Sequence, residues 1–208
     1  HSMIGGVVGY QHGGFLTGCS SSATVNAGNT AGGVVGGTNS GATLTACYAT
    51  GSVTLESINQ YGNFAGGVVG CNSSSSTLQA CYAWGNVTGS GSGTIYVGGV
   101  TGTNDVGTLT ACYHAKGTVS GPDGATGGVA GRNYKGLMPY GGIITACYWG
   151  DNGQEQGIGE DQVGTGKTTK VTDGNWMGAM DGMNSALQDL TTWRYDLGES
   201  LPVLTQQP

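Results

Sequence analysis

Cysteine and histidine are the side chains of this sequence best suited to covalent or metal chemistry, and their spacing argues against both. Five cysteines recur at one place of a repeated segment, and a sixth, Cys71, stands apart from them. The recurring cysteines are Cys19, Cys47, Cys81, Cys112 and Cys147. Equivalent side chains on stacked repeats point in parallel directions. A disulfide needs a twisted geometry, which parallel side chains reach poorly. Without a Cys-x-x-Cys pair or a nearby histidine cluster, a zinc site is not indicated either. We predict buried free thiols, no metal and no cofactor.

Acid–base catalysis has few candidate residues in this chain. The histidines are His1, His12 and His114, and neither a His-Glu-x-x-His nor a Gly-x-Ser-x-Gly motif occurs. A polysaccharide-degrading site would need clustered acids or a positioned cationic base. Residues 1–150 contain three acids and three bases, which fall in different repeats: Glu56, Asp105, Asp123, Lys116, Arg132 and Lys135. The sequence therefore predicts that the protein is not an enzyme.

The acidic stretch after residue 150 resembles two ligand-binding motifs without matching either. Glu155, Glu160 and Asp161 are calcium-type ligands, but their spacing is not that of an EF-hand. Residues 161–168 approach the phosphate-loop pattern, yet Asp161 stands where that pattern requires glycine, and no apolar strand precedes it. We interpret the stretch as a solvated acidic loop.

Aromatic side chains are the remaining candidates for ligand contact. Tyr48, Tyr82, Tyr113 and Tyr148 each follow a recurring cysteine, and Trp84 and Trp149 stand just beyond two of these tyrosines. Facing outward they would stack on sugar rings, whereas facing inward they would form a half-buried ladder. Other tyrosines fall in the variable insertions, where binding residues concentrate. The predicted ligand-binding residues are Tyr61, Tyr96, Tyr134, Tyr140, Trp84 and Trp149.

The elements that must position these residues are five repeats. A glycine-rich block, GGVVG or a close variant, begins at residues 5, 32, 66, 98 and 127, and a segment such as LTACYATG follows each time. The chain has 44 glycines and only 9% charged residues, a composition that suits short strands with many tight corners. One unit cannot bury its apolar side alone, but stacked units can. Residues 1–150 are therefore predicted to form a parallel β-solenoid of five repeats, with a β-sandwich or a prism of hairpins as alternatives.

A polar amide separates the two blocks of each repeat. The residues concerned are Gln11, Asn39, Asn72, Asn104 and Asn133. Equivalent amides on stacked coils can hydrogen-bond to one another, so we expect a ladder of side-chain amides along the solenoid.

Residues 151–208 are predicted to cap the solenoid. They contain nine acids and three bases, a net charge of −6, whereas residues 1–150 are neutral. After an acidic connector, the spacing of Trp176, Met180, Met183, Leu187 and Leu190 predicts an amphipathic helix. Asp173 is its expected N-cap, and its apolar stripe is expected to pack on the last coil. Trp193, Tyr195 and residues 201–204 are expected to form a final short strand nearby.

Charge and hydropathy exclude two classes of partner. An acidic chain without clustered Lys or Arg is unsuited to nucleic acid. No run of 18 apolar residues is present, so no membrane span is expected in this chain. The opening His1-Ser2-Met3 looks like a vector remnant, which suggests an excised part of a longer protein.

The repeat resembles a known type. GGVVG followed by a polar corner and LTACYATGSV is similar to the GLUG-motif repeats, and the likeness covers roughly residues 5–150. Such repeats occur in bacterial surface and secreted proteins, including adhesin-like and fimbria-associated proteins of Bacteroidales and non-catalytic regions of IgA peptidases. The segment TKVTDGNWMGAMDGMNSAL also looks like one that closes such arrays. The resemblance implies a β-solenoid scaffold that is secreted or at the bacterial cell surface, and it assigns no catalytic or binding residue.

The function predicted from the sequence is that of a non-enzymatic, rigid, adhesin-like scaffold. Its loops at residues 55–63, 89–96 and 132–140 would bind a host or environmental glycan or a host surface protein, and other domains of the same longer chain would be further partners. An accessory structural module of a larger secreted enzyme, such as an IgA-type peptidase, is the alternative. A β-helical polysaccharide-degrading enzyme is the second alternative.

Overall fold

The repeats wind into a parallel β-solenoid, as predicted. The computed structural model describes residues 2–58, 60–136 and 141–208. The strands of the first two coils are β1 (Met3–Gly5), β2 (Val8–His12), β3 (Phe15–Thr17), β4 (Ser20–Ser21), β5 (Val25–Ala27), β6 (Thr30–Gly32), β7 (Val35–Asn39), β8 (Thr43–Thr45), β9 (Tyr48–Ala49) and β10 (Val53–Ser57). Those of the third and fourth coils are β11 (Asn63–Gly66), β12 (Val69–Ser73), β13 (Thr77–Gln79), β14 (Tyr82–Ala83), β15 (Val87–Gly91), β16 (Ile95–Gly98), β17 (Thr101–Asp105), β18 (Thr108–Thr110), β19 (Tyr113–His114) and β20 (Val119–Ser120).

The fifth coil and the tail complete the chain. The fifth coil contains β21 (Thr126–Gly127), β22 (Ala130–Tyr134), β23 (Ile143–Thr145) and β24 (Cys147–Trp149). The tail contains β25 (Ile158–Asp161), β26 (Thr168–Lys170), α1 (Met177–Leu187), β27 (Trp193–Leu197) and β28 (Pro202–Gln206). Helix α1 has 11 residues, and no helix in the described part of the chain is long and apolar enough to cross a membrane.

Equivalent strands of successive coils pair in parallel and form five long sheets. Sheet A has the order β1-β6-β11-β16-β21, sheet B β2-β7-β12-β17-β22-β25, and sheet C β3-β8-β13-β18-β23. Sheet D has the order β4-β9-β14-β19-β24-β26 and sheet E β5-β10-β15-β20. The register places each residue beside its own copy, so that Leu44 lies between Leu16 and Leu78. Short strands that cannot bury an apolar face alone thereby share one interior.

The recurring cysteines form part of that interior. Cys47, Cys81, Cys112 and Cys147 are fully buried among the inward-facing leucines and valines of sheets B and C, as predicted for this position. All six cysteines are free thiols. The Sγ atom of Cys47 lies 3.4 Å from the carbonyl oxygen of Thr45, a contact repeated at the equivalent cysteines. Burial raises the pKa of Cys112, which suits an inert core side chain.

The glycine block makes the corner between sheets A and B. A Cβ atom on Gly66 would lie 2.0 Å from the carbonyl oxygen of Val69, so no other residue fits there. The corner between sheets C and D turns on one residue with positive φ, which is Gly18 in the first coil and alanine in the others. The alanines are Ala46 (φ 55°), Ala80 (φ 53°), Ala111 (φ 54°) and Ala146 (φ 49°).

The amide ladder exists, with two of the predicted residues corrected. Gln11 lies in register with Thr38, but its Nε2 donates to the carbonyls of Gly13 and Gly14 and not to the ladder. Thr38 Oγ1 donates to Asn72 Oδ1 (2.9 Å), Asn72 Nδ2 to Asn104 Oδ1 (2.9 Å), and Asn104 Nδ2 to Asn133 Oδ1 (3.1 Å). The predicted member Asn39 lies one position later, because the register pairs Thr38 with Asn72. The ladder ends at Asp161, whose Oδ1 accepts from Asn133 Nδ2 (3.0 Å).

The tail departs from the predicted connector and cap. Strands β25 and β26 extend sheets B and D, so part of the stretch assigned to an acidic loop continues the solenoid. Helix α1 confirms the predicted helix, but its N-cap is Trp176 and makes no side-chain cap; Asp173 does not have that role. The final strand is an antiparallel hairpin of β27 and β28.

The helix and hairpin lie along one flank of the solenoid rather than over its last coil alone. The Tyr195 hydroxyl donates to the Ala111 carbonyl (2.9 Å), and the Tyr113 hydroxyl donates to the Pro202 carbonyl. At the far end, the Trp193 ring lies 3.6 Å from where a Cβ of Gly18 would be, so the tail reaches back to the first coil. Met183 and Leu187 of α1 are fully buried against this flank.

Candidate binding site

The outer side of the corner between sheets A and B carries a cluster of aromatic and charged side chains. Because the glycine block turns the chain sharply, outward side chains of β11 and β16 meet those of β22 and β25. Phe64 and Tyr96 are neighbours in sheet A, and their rings stack at 6.0 Å with an interplanar angle of 13°. Arg132 lies in sheet B between Thr103 and Glu160. We call Phe64, Tyr96, Thr103, Arg132, Tyr134 and Glu160 the corner cluster.

Arg132 is the centre of the corner cluster. Its guanidinium carbon lies 4.5 Å from the ring centre of Tyr96, 4.4 Å from that of Tyr134 and 5.5 Å from that of Phe64. Its Nε atom donates to Thr103 Oγ1 (3.2 Å). Near the surface a cation–ring contact contributes about 0.5–1 kcal/mol, and the three contacts are not additive because they share one guanidinium. The rings therefore fix the position of the charge at the surface.

Among the residues that the structure describes, no carboxylate oxygen lies within 4.0 Å of this cation. In the described part of the chain, the one ion pair within 4.0 Å joins Lys170 to Glu155, at 2.9 Å. Glu160 is occupied instead by Tyr96, whose hydroxyl donates to Oε2 (2.9 Å). Arg132 thus keeps hydrogen-bonding capacity for an external acceptor, such as a carboxylate or a sugar hydroxyl.

Two ionisable groups beside Arg132 have altered proton affinity. Burial raises the pKa of Tyr96, the hydrogen bond to Glu160 raises it further, and Arg132 opposes the change. Burial also raises the pKa of Asp105, which lies on β17 next to Tyr134. The positive charge of Arg132 offsets only part of this rise. The Tyr96 phenol is therefore a neutral hydrogen-bond donor at neutral pH. The Asp105 carboxyl, beside Tyr134, has oxygens that can accept hydrogen bonds from hydroxyl groups.

Two predicted ligand-binding residues, Tyr96 and Tyr134, meet in the corner cluster although they come from different repeats. Tyr96 is only 8% exposed and Tyr134 is half-buried. Tyr61 precedes β11 and is 72% exposed. Tyr140 lies outside the described residues.

The two predicted tryptophans lie elsewhere. Trp149 is buried inside the fifth coil, where its Nε1 donates to the Gln154 carbonyl (3.0 Å). Trp84 is half-buried on the flank that the tail covers, and its Nε1 donates to the Tyr113 hydroxyl (3.1 Å). Lys116 lies over the Trp84 ring, 5.1 Å from its centre.

Three of the four tyrosines that follow the cysteines form a stacked column on sheet D: Tyr48, Tyr82 and Tyr113. The ring centres of Tyr48 and Tyr82 are 4.8 Å apart with an interplanar angle of 4°, and those of Tyr82 and Tyr113 are 5.0 Å apart. Tyr82 and Tyr113 are buried under the tail. Of the two arrangements considered for this column, these inner members adopt the buried ladder.

Sequence reasoning missed Phe64, Arg132 and Glu160 as members of one site. The charged residues fall in different repeats, which had suggested that they were dispersed. In a parallel solenoid, however, equivalent positions of adjacent coils are only about 4.8 Å apart. Arg132 occupies the position held by Tyr10, Cys71 and Thr103, and this alignment was the available clue.

The other acids that the sequence suggested as ligands lie outside the corner cluster. Asp161 ends the amide ladder, and Glu155 pairs with Lys170, so the acids considered for calcium have separate roles. In the part of the chain described, no group of three metal-ligating side chains is placed to hold an ion. His114 is fully buried: its Nε2 lies 2.9 Å from the Gly85 carbonyl, and its Nδ1 lies 3.0 Å from the Asn152 amide nitrogen.

Comparisons with protein-family models, with curated proteins and with solved structures find no match to this chain. The resemblance to GLUG-motif repeats therefore depends on the quoted residues alone, and function has to be inferred from geometry.

Proposed function

We propose that this chain is a non-enzymatic, adhesin-like scaffold domain of a bacterial surface or secreted protein. The corner cluster is its binding surface, and a glycan is the ligand class. The observation that supports this most directly is the placement of the Arg132 guanidinium over three aromatic rings without a carboxylate ion pair.

The chemistry of the corner cluster suits glycan hydroxyl and carboxylate groups. Arg132 supplies planar donors, while Asp105 supplies a carboxyl acceptor on the neighbouring strand β17. Aromatic rings beside such groups can take the apolar face of a sugar. Tyr61, exposed at the start of the same sheet, extends the surface towards solvent.

The solenoid suits the scaffold part of this proposal. Each coil is hydrogen-bonded to the next through several parallel sheets, and side chains such as Leu78 and Val100 are fully buried between coils. Neighbour-to-neighbour packing of this kind makes an extended body that displays outward side chains at fixed spacing. An accessory module of a larger secreted enzyme would need the same property.

A glycan array tests the proposal. The wild type is expected to bind at least one glycan from a panel of acidic and neutral structures, and Arg132→Gln is expected to weaken that binding at least tenfold. Lys167→Gln is the matched control, because it removes one exposed positive charge beside strand β23 of sheet C, outside the corner cluster and outside the predicted binding loops. Failure of the wild type to bind any glycan, or equal binding by Arg132→Gln, would contradict the assignment.

Polysaccharide degradation is the second candidate function, favoured by one observation. Asp105, Arg132 and Glu160 come from three adjacent strands to one corner, and burial raises the pKa of Asp105, a change typical of a general acid. Incubation with soluble polysaccharides and measurement of new reducing ends tests this. Turnover by the wild type that Asp105→Asn abolishes would replace the non-enzymatic proposal.

A further inference from the structure

The tyrosine column on sheet D stops one coil short of the end of the solenoid. In the register, Ser20 of the first coil occupies the position that Tyr48 and Tyr82 hold in the next two. Tyr48 therefore stacks on Tyr82 through one face, and no other ring of the described residues pairs with it. Its second face points towards the position where the column lacks a ring.

A cavity of about 540 Å³ lies at this position, between the solenoid and strand β28 of the tail. Its volume is in the range of small-ligand sites, which is roughly 300–1,000 Å³. The Tyr48 ring forms one side, Val203 and Leu204 of the hairpin form another, and Tyr82 and Trp84 extend the cavity to the third coil. We call this cavity the Tyr48 slot.

The polar lining of the Tyr48 slot is made of hydroxyl groups. Ser20, Ser21, Ser22 and Thr50 contribute to it, and no charged side chain among the described residues lines it. Ser20 and Thr50 are exposed to solvent, so their hydroxyls are free to exchange water for a ligand. A neutral ligand rich in hydroxyl groups satisfies such a wall, whereas a charged ligand would find no counter-ion.

The spacing of the column defines what fits over Tyr48. The column repeats at 4.8–5.0 Å between ring centres, so the next ring would stack flat on Tyr48 at the level of Ser20. A pyranose presents an apolar face to an aromatic ring and hydroxyls around its edge. An aromatic side chain of a peptide would fill the same gap but leave the hydroxyl wall without partners.

We propose that the Tyr48 slot binds a neutral oligosaccharide, one pyranose ring of which stacks on Tyr48 in place of the missing tyrosine. The assignment deepens the proposed function, since both attribute glycan binding to this chain, but it uses a different flank of the solenoid. The corner cluster and the Tyr48 slot share no residue, so variants can separate them.

The test uses the whole chain and an array of neutral oligosaccharides built from glucose, galactose, mannose and N-acetylglucosamine, followed by calorimetric titration of the best-bound one. Ser20→Tyr is expected to complete the column, occupy the Tyr48 slot and reduce binding at least tenfold. Its melting temperature is expected to equal or exceed that of the wild type. Tyr48→Ser is expected to lose binding to the same degree, whereas Tyr48→Phe, which keeps the ring, is expected to remain within threefold.

Two controls distinguish the outcomes. Tyr10→Ser removes an exposed tyrosine far from sheet D and is expected to leave neutral-glycan binding unchanged. Neutral binding that Ser20→Tyr abolishes and Arg132→Gln preserves supports the Tyr48 slot even if the corner cluster binds nothing. Absence of neutral binding, or binding that survives Ser20→Tyr in a folded protein, overturns the slot. In that case, acidic-glycan binding that only Arg132→Gln abolishes would support the proposed function at the corner cluster without the Tyr48 slot.

Discussion

The two flanks of the solenoid that carry aromatic side chains differ in what covers them. On sheet D, Tyr82 and Tyr113 are buried because the tail lies over them. At the corner of sheets A and B, the rings of Phe64 and Tyr134 remain half-buried, and a cation, Arg132, takes the place of a covering element. Outward-facing aromatic side chains thus become core on sheet D and a candidate binding surface at the corner of sheets A and B. The covered flank should contribute strongly to stability, and the open flank only weakly.

Truncation of the tail's buried tyrosine is expected to have the largest effect. Tyr195→Ala removes a fully buried ring that packs on Tyr113 at 5.6 Å, and it removes the hydrogen bond to Ala111. We expect a loss of about 3–5 kcal/mol in the free energy of unfolding, measured by urea denaturation. Tyr195→Phe, which loses only the hydrogen bond, is expected to cost about 1–2 kcal/mol. A loss below 1 kcal/mol in Tyr195→Ala would show that the tail is not integrated with the solenoid.

Acid is expected to loosen the covered flank from inside, through His114 on β19. Burial lowers the pKa of His114 from 6.5 to about 4, opposed by the Gly85 carbonyl, so the folded state resists protonation. Neutral His114 therefore makes its full contribution to the free energy of unfolding above pH 6.5. About 3 kcal/mol of that free energy is lost as the pH falls towards 4. His114→Ala, which installs the residue found at the equivalent Ala49 and Ala83, should lack this loss.

Unfolding measured at pH 7 and pH 4 checks the His114 prediction. Carboxyl groups titrate in both proteins, so only the difference between wild type and His114→Ala is informative. Parallel loss of stability in the two proteins would rule out His114 as the source.

The amide ladder beneath the open flank should have an intermediate effect. Asn104→Ala leaves the buried amides of Asn72 and Asn133 without one partner each. A cost of about 1–3 kcal/mol in unfolding free energy is expected, because buried polar groups lose their hydrogen bonds. Asn39→Ala, outside the ladder, should change stability by no more than about 0.5 kcal/mol. Equal costs for the two variants would count against the ladder as a source of stability.

Arg132 is expected to have the smallest effect on stability. Arg132→Met keeps an apolar stem over the rings of the corner cluster and removes the charge, so we expect a change below about 1 kcal/mol in thermal unfolding. Lys116→Met, which removes the cation over Trp84 on the covered flank, is the matched variant. A loss above 2 kcal/mol for Arg132→Met would identify the corner cluster as a structural element and weaken its assignment as a binding surface.

Much of the fold was predictable because each repeat copies the last. The register that pairs Leu44 with Leu78, the burial of Cys47 and its equivalents, and most of the amide ladder all follow from that copying. The left-handed alanines were not predictable, since positive φ favours glycine at such corners. The tail explains two of them: Ala80 and Ala111 are buried in the same apolar cluster as Tyr195, where a methyl group adds contact that glycine would lack.

The sequence by itself determined the coil, because a repeated pattern of apolar residues and corners stabilises stacking of each segment on its own copy. Tertiary structure alone decided the two flanks. Helix α1 and the hairpin of β27 and β28 copy no segment of the repeats, so their position along sheet D, and the cavity beside Tyr48, depend on packing between dissimilar elements. Arg132 likewise contacts Phe64 and Tyr96 only because the glycine corner brings two sheets together, since Arg132 occupies a different position of the repeat from the two rings.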